Sequence, residues 1–196
     1  MPTWCSFSSS IRNRSSSSLH GGWLALPPEY VGLFCLHPAQ AGGLNRCASL
    51  ITVHNELQRA CPEVLHRLYH PFWWDRQAEH APDEAKSSWH PVYAYDGQTL
   101  MARYYDDYVR QGYRLAGATL DAPGAQALDA MRECLAAPDN WVEFHLEQGQ
   151  IFYLNNLQCA HAHTAFLDAD ASPTRRHLIR LWNRDTGSVH LDGQEV

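Results

Sequence analysis

Near its C-terminal end the chain carries Asn155-Asn156-Leu157-Gln158-Cys159-Ala160-His161, followed by Arg175-Arg176-His177-Leu178-Ile179-Arg180. An imidazole can ligate a metal, and the planar fork of arginine can clamp a carboxylate through two parallel hydrogen bonds. Arg175 lies fourteen residues after His161, and Arg180 four after Arg176. The run Gln150 to Leu154 reads as a strand leading into the Asn-Asn pair, and His177 to Trp182 reads as a last strand. Alternate residues of a strand share a face, so Arg176, Leu178 and Arg180 are expected to project one way. His161 and Arg176 are then expected to look into a common cavity from neighbouring strands. One imidazole and one carboxylate clamp are the minimum equipment of a site pairing iron with a 2-oxo acid.

The elements that must position these residues follow from punctuation and periodicity. Tyr30 to Leu36 is an apolar run of strand length after Pro27-Pro28, and Ala41-Gly42-Gly43 is a turn. From Ser49 to Tyr69 the apolar residues recur at helical steps, and Pro62 divides the stretch in two. Phe72-Trp73-Trp74 reads as a short strand and 77–89 as a polar loop. Asp96-Gly97 is a hairpin signal between Pro91–Tyr95 and Leu100–Tyr105. Asp106-Asp107 reads as a solvated turn or helix start. A helix is expected from Ala122 to Ala136, capped by Asp121, with Leu128, Met131 and Leu135 on one face. Trp141 to Leu146 alternates as a half-buried strand with Glu143 and His145 toward solvent, and Glu147-Gln148-Gly149 turns it back. Many short strands with helical inserts predict a mainly β fold, a jelly-roll double-stranded β-helix.

The bulk numbers bound the function. A length of 196 residues suits one domain, and 45% apolar with 18% charged residues describes a globular chain. A net charge of −6 argues against a nucleic-acid-binding face. Lys86 is the single lysine among 15 basic residues, so arginine carries nearly all anion binding. Cys5, Cys35, Cys47, Cys61, Cys134 and Cys159 form no CxxC pair, which excludes a zinc ribbon or thioredoxin motif and reads as free thiols in the cytoplasm. No run approaches the roughly 20 apolar residues of a membrane span. Residues 1–19 are Ser-rich, lack the apolar block of a secretory signal, and are expected to form a flexible leader to a single domain, 20–196. No GxSxG, Walker or dinucleotide fingerprint occurs, and the histidines from His54 to His90 are too scattered for an HExxH zinc signature.

Taken in order, Pro27-Pro28, Tyr30 to Leu36, Gly42-Gly43, His90-Pro91-Val92 before Gly97, the hairpin Glu143 to Leu154, Asn155-Asn156, His161 with Thr164, and Arg175-Arg176 with Arg180 form a pattern. Over about Pro27 to Trp182 it resembles the taurine dioxygenase/clavaminate synthase-like branch of the iron(II)/2-oxoglutarate-dependent oxygenases. The resemblance implies Fe(2+) and 2-oxoglutarate as cofactors and molecular oxygen with a small molecule, such as an amino acid, as reactants. It implies that His161 is the distal metal ligand and that Arg176 binds the far carboxylate of 2-oxoglutarate. It further implies that Arg180 serves co-substrate or substrate, and that Asn45 stands where relatives place a Thr or Ser assisting the co-substrate. His163 is expected at the surface.

The chain departs from that pattern at the proximal His-x-Asp/Glu motif. Counting back from Pro27 without gaps places the ligand positions on Ser18 and His20. A two-residue gap makes His20 the proximal metal ligand and puts Gly22 in the carboxylate's place, as in related iron halogenases that use chloride. The stretch that precedes this motif in relatives is lacking, so the barrel is expected to be incomplete at its start and Met1 to be a truncated or misread beginning. A catalytically inactive protein of oxygenase fold is the alternative that follows.

Overall fold

The computed structural model describes residues 27–77, 80, 82–168 and 175–183. In chain order the strands and helices are β1 Tyr30–His37, β2 Ala41–Gly42, β3 Asn45–Ser49, α1 Leu50–Ala60, α2 Pro62–Leu68, β4 Phe72–Asp75, β5 Ser87–His90, β6 Tyr93–Tyr95, β7 Leu100–Ala102, α3 Asp106–Leu115, α4 Ala122–Ala136, β8 Trp141–Phe144, β9 Ile151–Asn155, β10 Cys159–His163, β11 Phe166–Leu167 and β12 His177–Asn183.

Two three-stranded antiparallel sheets face each other, one ordered β12-β1-β9 and the other β10-β3-β8. In the first, the register sets Val31 beside Trp182 and Leu154, Leu33 beside Arg180 and Phe152, and Cys35 beside Leu178. Along β12 exposure alternates residue by residue, with Leu178, Arg180 and Trp182 on the less exposed side. In the second sheet His161 is paired with Cys47 and His163 with Asn45. Phe144 of β8 meets Phe152 of β9 edge-on at 4.8 Å, which ties the inner faces together. The expected jelly-roll therefore appears as an open sandwich; its hydrogen bonds do not close a barrel among the described residues.

The opposite face of the β10-β3-β8 sheet presents Ala48 and Ala160 to the helices, and these small side chains belong to the main apolar core. Helix α1 begins where Ser49 Oγ accepts the Thr52 N–H at 3.2 Å, and it buries Leu50, Val53 and Leu57. Pro62 opens α2, since a proline at a first helical position loses no internal hydrogen bond. Asp121 caps α4 through the Gly124 N–H and also receives the Arg67 guanidinium at 2.8 Å, which anchors α4 to α2.

One expectation is corrected here. The polar loop over 77–89 ends early, because Ser87–His90 pairs with Phe72–Asp75 as a strand. Its residues do not alternate in polarity, and the strand is held instead by the aromatic strand beside it. Of the two readings of Asp106-Asp107, turn or helix start, the second holds: the pair opens the ten-residue helix α3. That helix approaches β4 so closely that a Cβ at Gly112 would lie 2.5 Å from the carbonyl of Trp73.

Candidate active site

The inner face of β10 carries Cys159, His161 and His163, and the facing positions of β3 carry Asn45 and Cys47. Opposite them, across the space between the sheets, stand Arg176, Leu178 and Arg180. The neighbouring-strand expectation is corrected here: β10 and β12 belong to different sheets, because β1 takes the place beside β12. His161 and the arginines meet face to face and not edge to edge.

Two levels are visible. At one, Arg180 acts on His161, whose ring is only 7% exposed. Burial, reinforced by Arg180 and then by His163, pushes the imidazole down to about 4, so it is neutral at physiological pH and keeps a lone pair for a metal. At the other level Arg176 acts on His163, and burial is the main cause of lowered proton affinity in both. His161 and His163 are two strand residues apart, ~7 Å, and Arg176 and Arg180 four apart, ~13 Å. Two recesses adjoin His161 and Arg176. One contains His161, Arg103, Tyr104, Tyr105, Asn156 and Cys159. The other contains Arg176, Asn45, Gly43, His145, Leu146 and Leu178. His161 and Arg176 thus border different recesses.

Local structure holds these groups in place. Gly43, at φ +68°, lies where a Cβ would come within 3.4 Å of the Arg176 Nε, so the Gly42-Gly43 turn leaves room for the guanidinium. The Arg176 N–H donates to Asp168 Oδ1 at 2.6 Å, and its guanidinium sits 5.1 Å from the centre of the Phe166 ring. Asn45 is 3% exposed on the same recess. Thr164 fixes the end of β10: its Oγ1 accepts the Leu44 N–H at 3.0 Å and its N–H donates to Leu44 O. Asn156 ties the turn before β10 to the chain after Pro27, its Nδ2 donating to Pro28 O and its backbone N–H to Glu29 O.

His163 is corrected from a surface residue. It is half-buried, its Nδ1 2.8 Å from Thr164 O, because odd-numbered residues of β10 all point inward. His145 is exposed as expected but borders the Arg176 recess. His20, Gly22 and the 1–19 leader lie outside the described residues. Among the described residues no three His, Cys, Asp or Glu side chains converge to hold a metal ion. For iron, the residues fit in part: one buried neutral imidazole and a half-buried arginine with an amide neighbour.

Two features carried no signal in the sequence. Arg103 follows a three-residue strand with no periodicity to orient it, yet it lines the His161 recess. Cys47 and Cys159 are hydrogen-bonded thiols beside His161; the contact pulls the Cys159 thiol down to about 7 and raises Cys47. Their diagonal relation depends on the β3–β10 register.

A family model described as "Taurine catabolism dioxygenase TauD, TfdA family" matches residues 10–182. The taurine hydroxylase-like protein SAT17 of Stachybotrys chartarum (strain CBS 109288 / IBT 7711) is 29% identical over 158 residues, covering 79% of this chain and 40% of that protein. Among solved structures, asparagine oxygenase in complex with Fe(II), 3-hydroxyasparagine and succinate superposes with a TM-score of 0.64 at 19% identity, over 84% of this chain and 48% of its own. The non-heme iron oxygenase OrfP with Fe and alpha-ketoglutaric acid gives 0.60 at 15% identity, over 85% and 48%. These likenesses establish the fold, and the chain spans a little under half the length of the relatives it matches.

Proposed function

The chain belongs to the taurine catabolism dioxygenase TauD, TfdA family, and from that premise we propose that it is an iron(II)/2-oxoglutarate-dependent hydroxylase of a small molecule such as an amino acid. The observation that carries the reading is the facing of a buried, neutral His161 by Arg180, and of His163 on the same strand by Arg176, across the inter-sheet space.

His161 supplies one metal ligand from β10, with His20 proposed as a second. Arg176 receives the far carboxylate of 2-oxoglutarate, and Asn45 offers an amide to the same co-substrate. A half-buried guanidinium holds a carboxylate more firmly than an exposed one, since less water competes for either partner. Arg180 stands at the level of His161, where it favours an anionic ligand and keeps the imidazole unprotonated. Iron(II) and 2-oxoglutarate, when bound there, would supply with molecular oxygen the oxidising chemistry for hydroxylating a substrate C–H bond. Leu178 and Leu146 line the co-substrate recess with apolar surface.

Calorimetry with iron(II) and 2-oxoglutarate, followed by succinate measurement, tests the proposal. Tight uptake of both, lost in His161→Ala and weakened for 2-oxoglutarate alone in Arg176→Met, is the expected result. A second reading, an inactive protein of the same fold, is favoured by the lack of a three-ligand cluster among the described residues. Failure of the native chain to retain iron would establish it.

A further inference from the structure

We propose that Cys47 and Cys159 close into a reversible disulfide, a redox-controlled link between β3 and β10 that acts on the setting of His161. The link itself stands apart from the hydroxylase reading; its effect on iron rests on that reading. In the β10–β3 register Cys47 pairs with His161 and Cys159 with Ser49, so the two cysteines are diagonal neighbours on the inner face of one sheet. Their thiols are already hydrogen-bonded to each other. Forming the bond therefore needs no remote segment to arrive, only the approach of two sulfurs to about 2.05 Å.

The other cysteines are placed elsewhere. Cys35 is fully buried on β1 of the facing sheet. Cys61 ends α1 and Cys134 lies in α4, among the helices on the other face of the β10-β3-β8 sheet. Cys5 lies outside the described residues. Cys47 and Cys159 are half-buried, and Cys159 borders the His161 recess, where a small oxidant reaches it. Hydrogen peroxide is such an oxidant. Its O–O bond breaks as one oxygen passes to the Cys159 sulfur, giving a sulfenic acid and one water. The Cys47 sulfur then attacks that sulfur; the S–O bond breaks, and the hydroxyl leaves with the Cys47 proton as a second water. Two thiols give up two electrons and two protons, and the peroxide takes up both.

Diagonal cross-strand positions sit about 7–8 Å apart at Cα, a little beyond the usual disulfide span of about 4.4–6.8 Å, so closure draws β3 and β10 together. Cys47 lies opposite His161 and Cys159 two residues before it, so the imidazole feels that movement first. A link closed against the spacing of its own sheet is readily reopened by thiols, which suits a switch better than a permanent staple.

The test treats the full chain, freed of metal, with hydrogen peroxide, removes the peroxide, and then maps the cysteines. Thiol titration of the unfolded product is expected to fall from six to four, and to return to six with dithiothreitol. Cleavage with trypsin and Glu-C places Cys47, Cys134 and Cys159 on different peptides, and the linked pair is expected to join Cys47 to Cys159 within one chain. Cys47→Ser and Cys47→Ala, two variants that together guard against a folding defect, are expected to stop at a sulfenic acid on Cys159, trapped by dimedone. The oxidised native chain is expected to take up iron(II) roughly 10- to 100-fold more weakly than the reduced chain, the scale at which disturbed support of a metal ligand acts, and to recover on reduction. No loss of thiols, a link between any other pair, or the same loss in both Cys47 variants overturns the inference. An unchanged iron affinity overturns the effect on His161. If the reduced chain takes up no iron, the hydroxylase reading falls, and the mapped link decides the disulfide on its own.

Discussion

His161 and His163 differ by two positions and share a face, yet the opposite sheet gives them different companions. Arg180 bears on the first and Arg176 on the second. The proposed division of labour predicts different losses. Arg176→Met is expected to raise the 2-oxoglutarate dissociation constant by roughly 10- to 100-fold, the worth of a charge-assisted bond, with iron uptake retained; calorimetry checks it. His161→Ala is expected to abolish iron uptake, read by metal analysis after gel filtration.

A half-buried histidine outside the ligand set has a pH consequence. His90 has its proton affinity lowered in the folded state, first by burial and then by Arg103, to about 4, against an ordinary value of 6.5. The unfolded chain therefore binds more protons than the folded one between about pH 6.5 and 4, and stability falls as pH drops through that window. Denaturant midpoints should decline from pH 7 to pH 4, and His90→Gln should flatten part of that decline. A midpoint that stays level in the native protein would contradict the account.

At the scale of elements, the legible parts were those with their own punctuation. Pro62 splits α1 from α2, Asp121 caps α4, and Asp96-Gly97 closes a hairpin, each a local rule acting within a few residues. Strand β5 and the extent of helix α3 beyond its start were not legible, because each takes its form from a neighbour: β5 from the aromatic strand beside it, α3 from the backbone of β4 pressed against Gly112. Gly112→Ala places a methyl against backbone that cannot rotate away, and a loss of about 1–3 kcal/mol is expected from denaturant unfolding. Asp121→Ala removes both the cap and the partner of Arg67, for about 1–2 kcal/mol. Asp121→Asn, which keeps the cap, should recover most of it.

Across the whole molecule, the outer face of the β12-β1-β9 sheet shows a different surface from the rest. Ile151, Tyr153, Ile179 and Leu181 lie side by side there, each 40–52% exposed, around Gly32. Contiguous exposed apolar surface favours association. Ile179→Lys with Leu181→Glu is expected to raise the concentration at which the protein stays monodisperse in light scattering without changing 2-oxoglutarate binding, since both side chains point away from the inter-sheet space. No helix among the described residues is long and apolar enough to cross a membrane.

The residue types, their order and their parity along single strands were determined by the sequence itself: an imidazole at 161, inward arginines at 176 and 180, and the family pattern around them. Only the tertiary structure decided that β10 and β12 face each other from separate sheets, that His163 turns inward toward Arg176, and that Arg103 arrives beside His161 from a hairpin nearly sixty residues earlier. Strand parity and caps are set by local covalent geometry and hydrogen bonding, which a sequence displays directly. Which strands become partners is set by the free energy of packing distant segments together, and that depends on the whole chain at once.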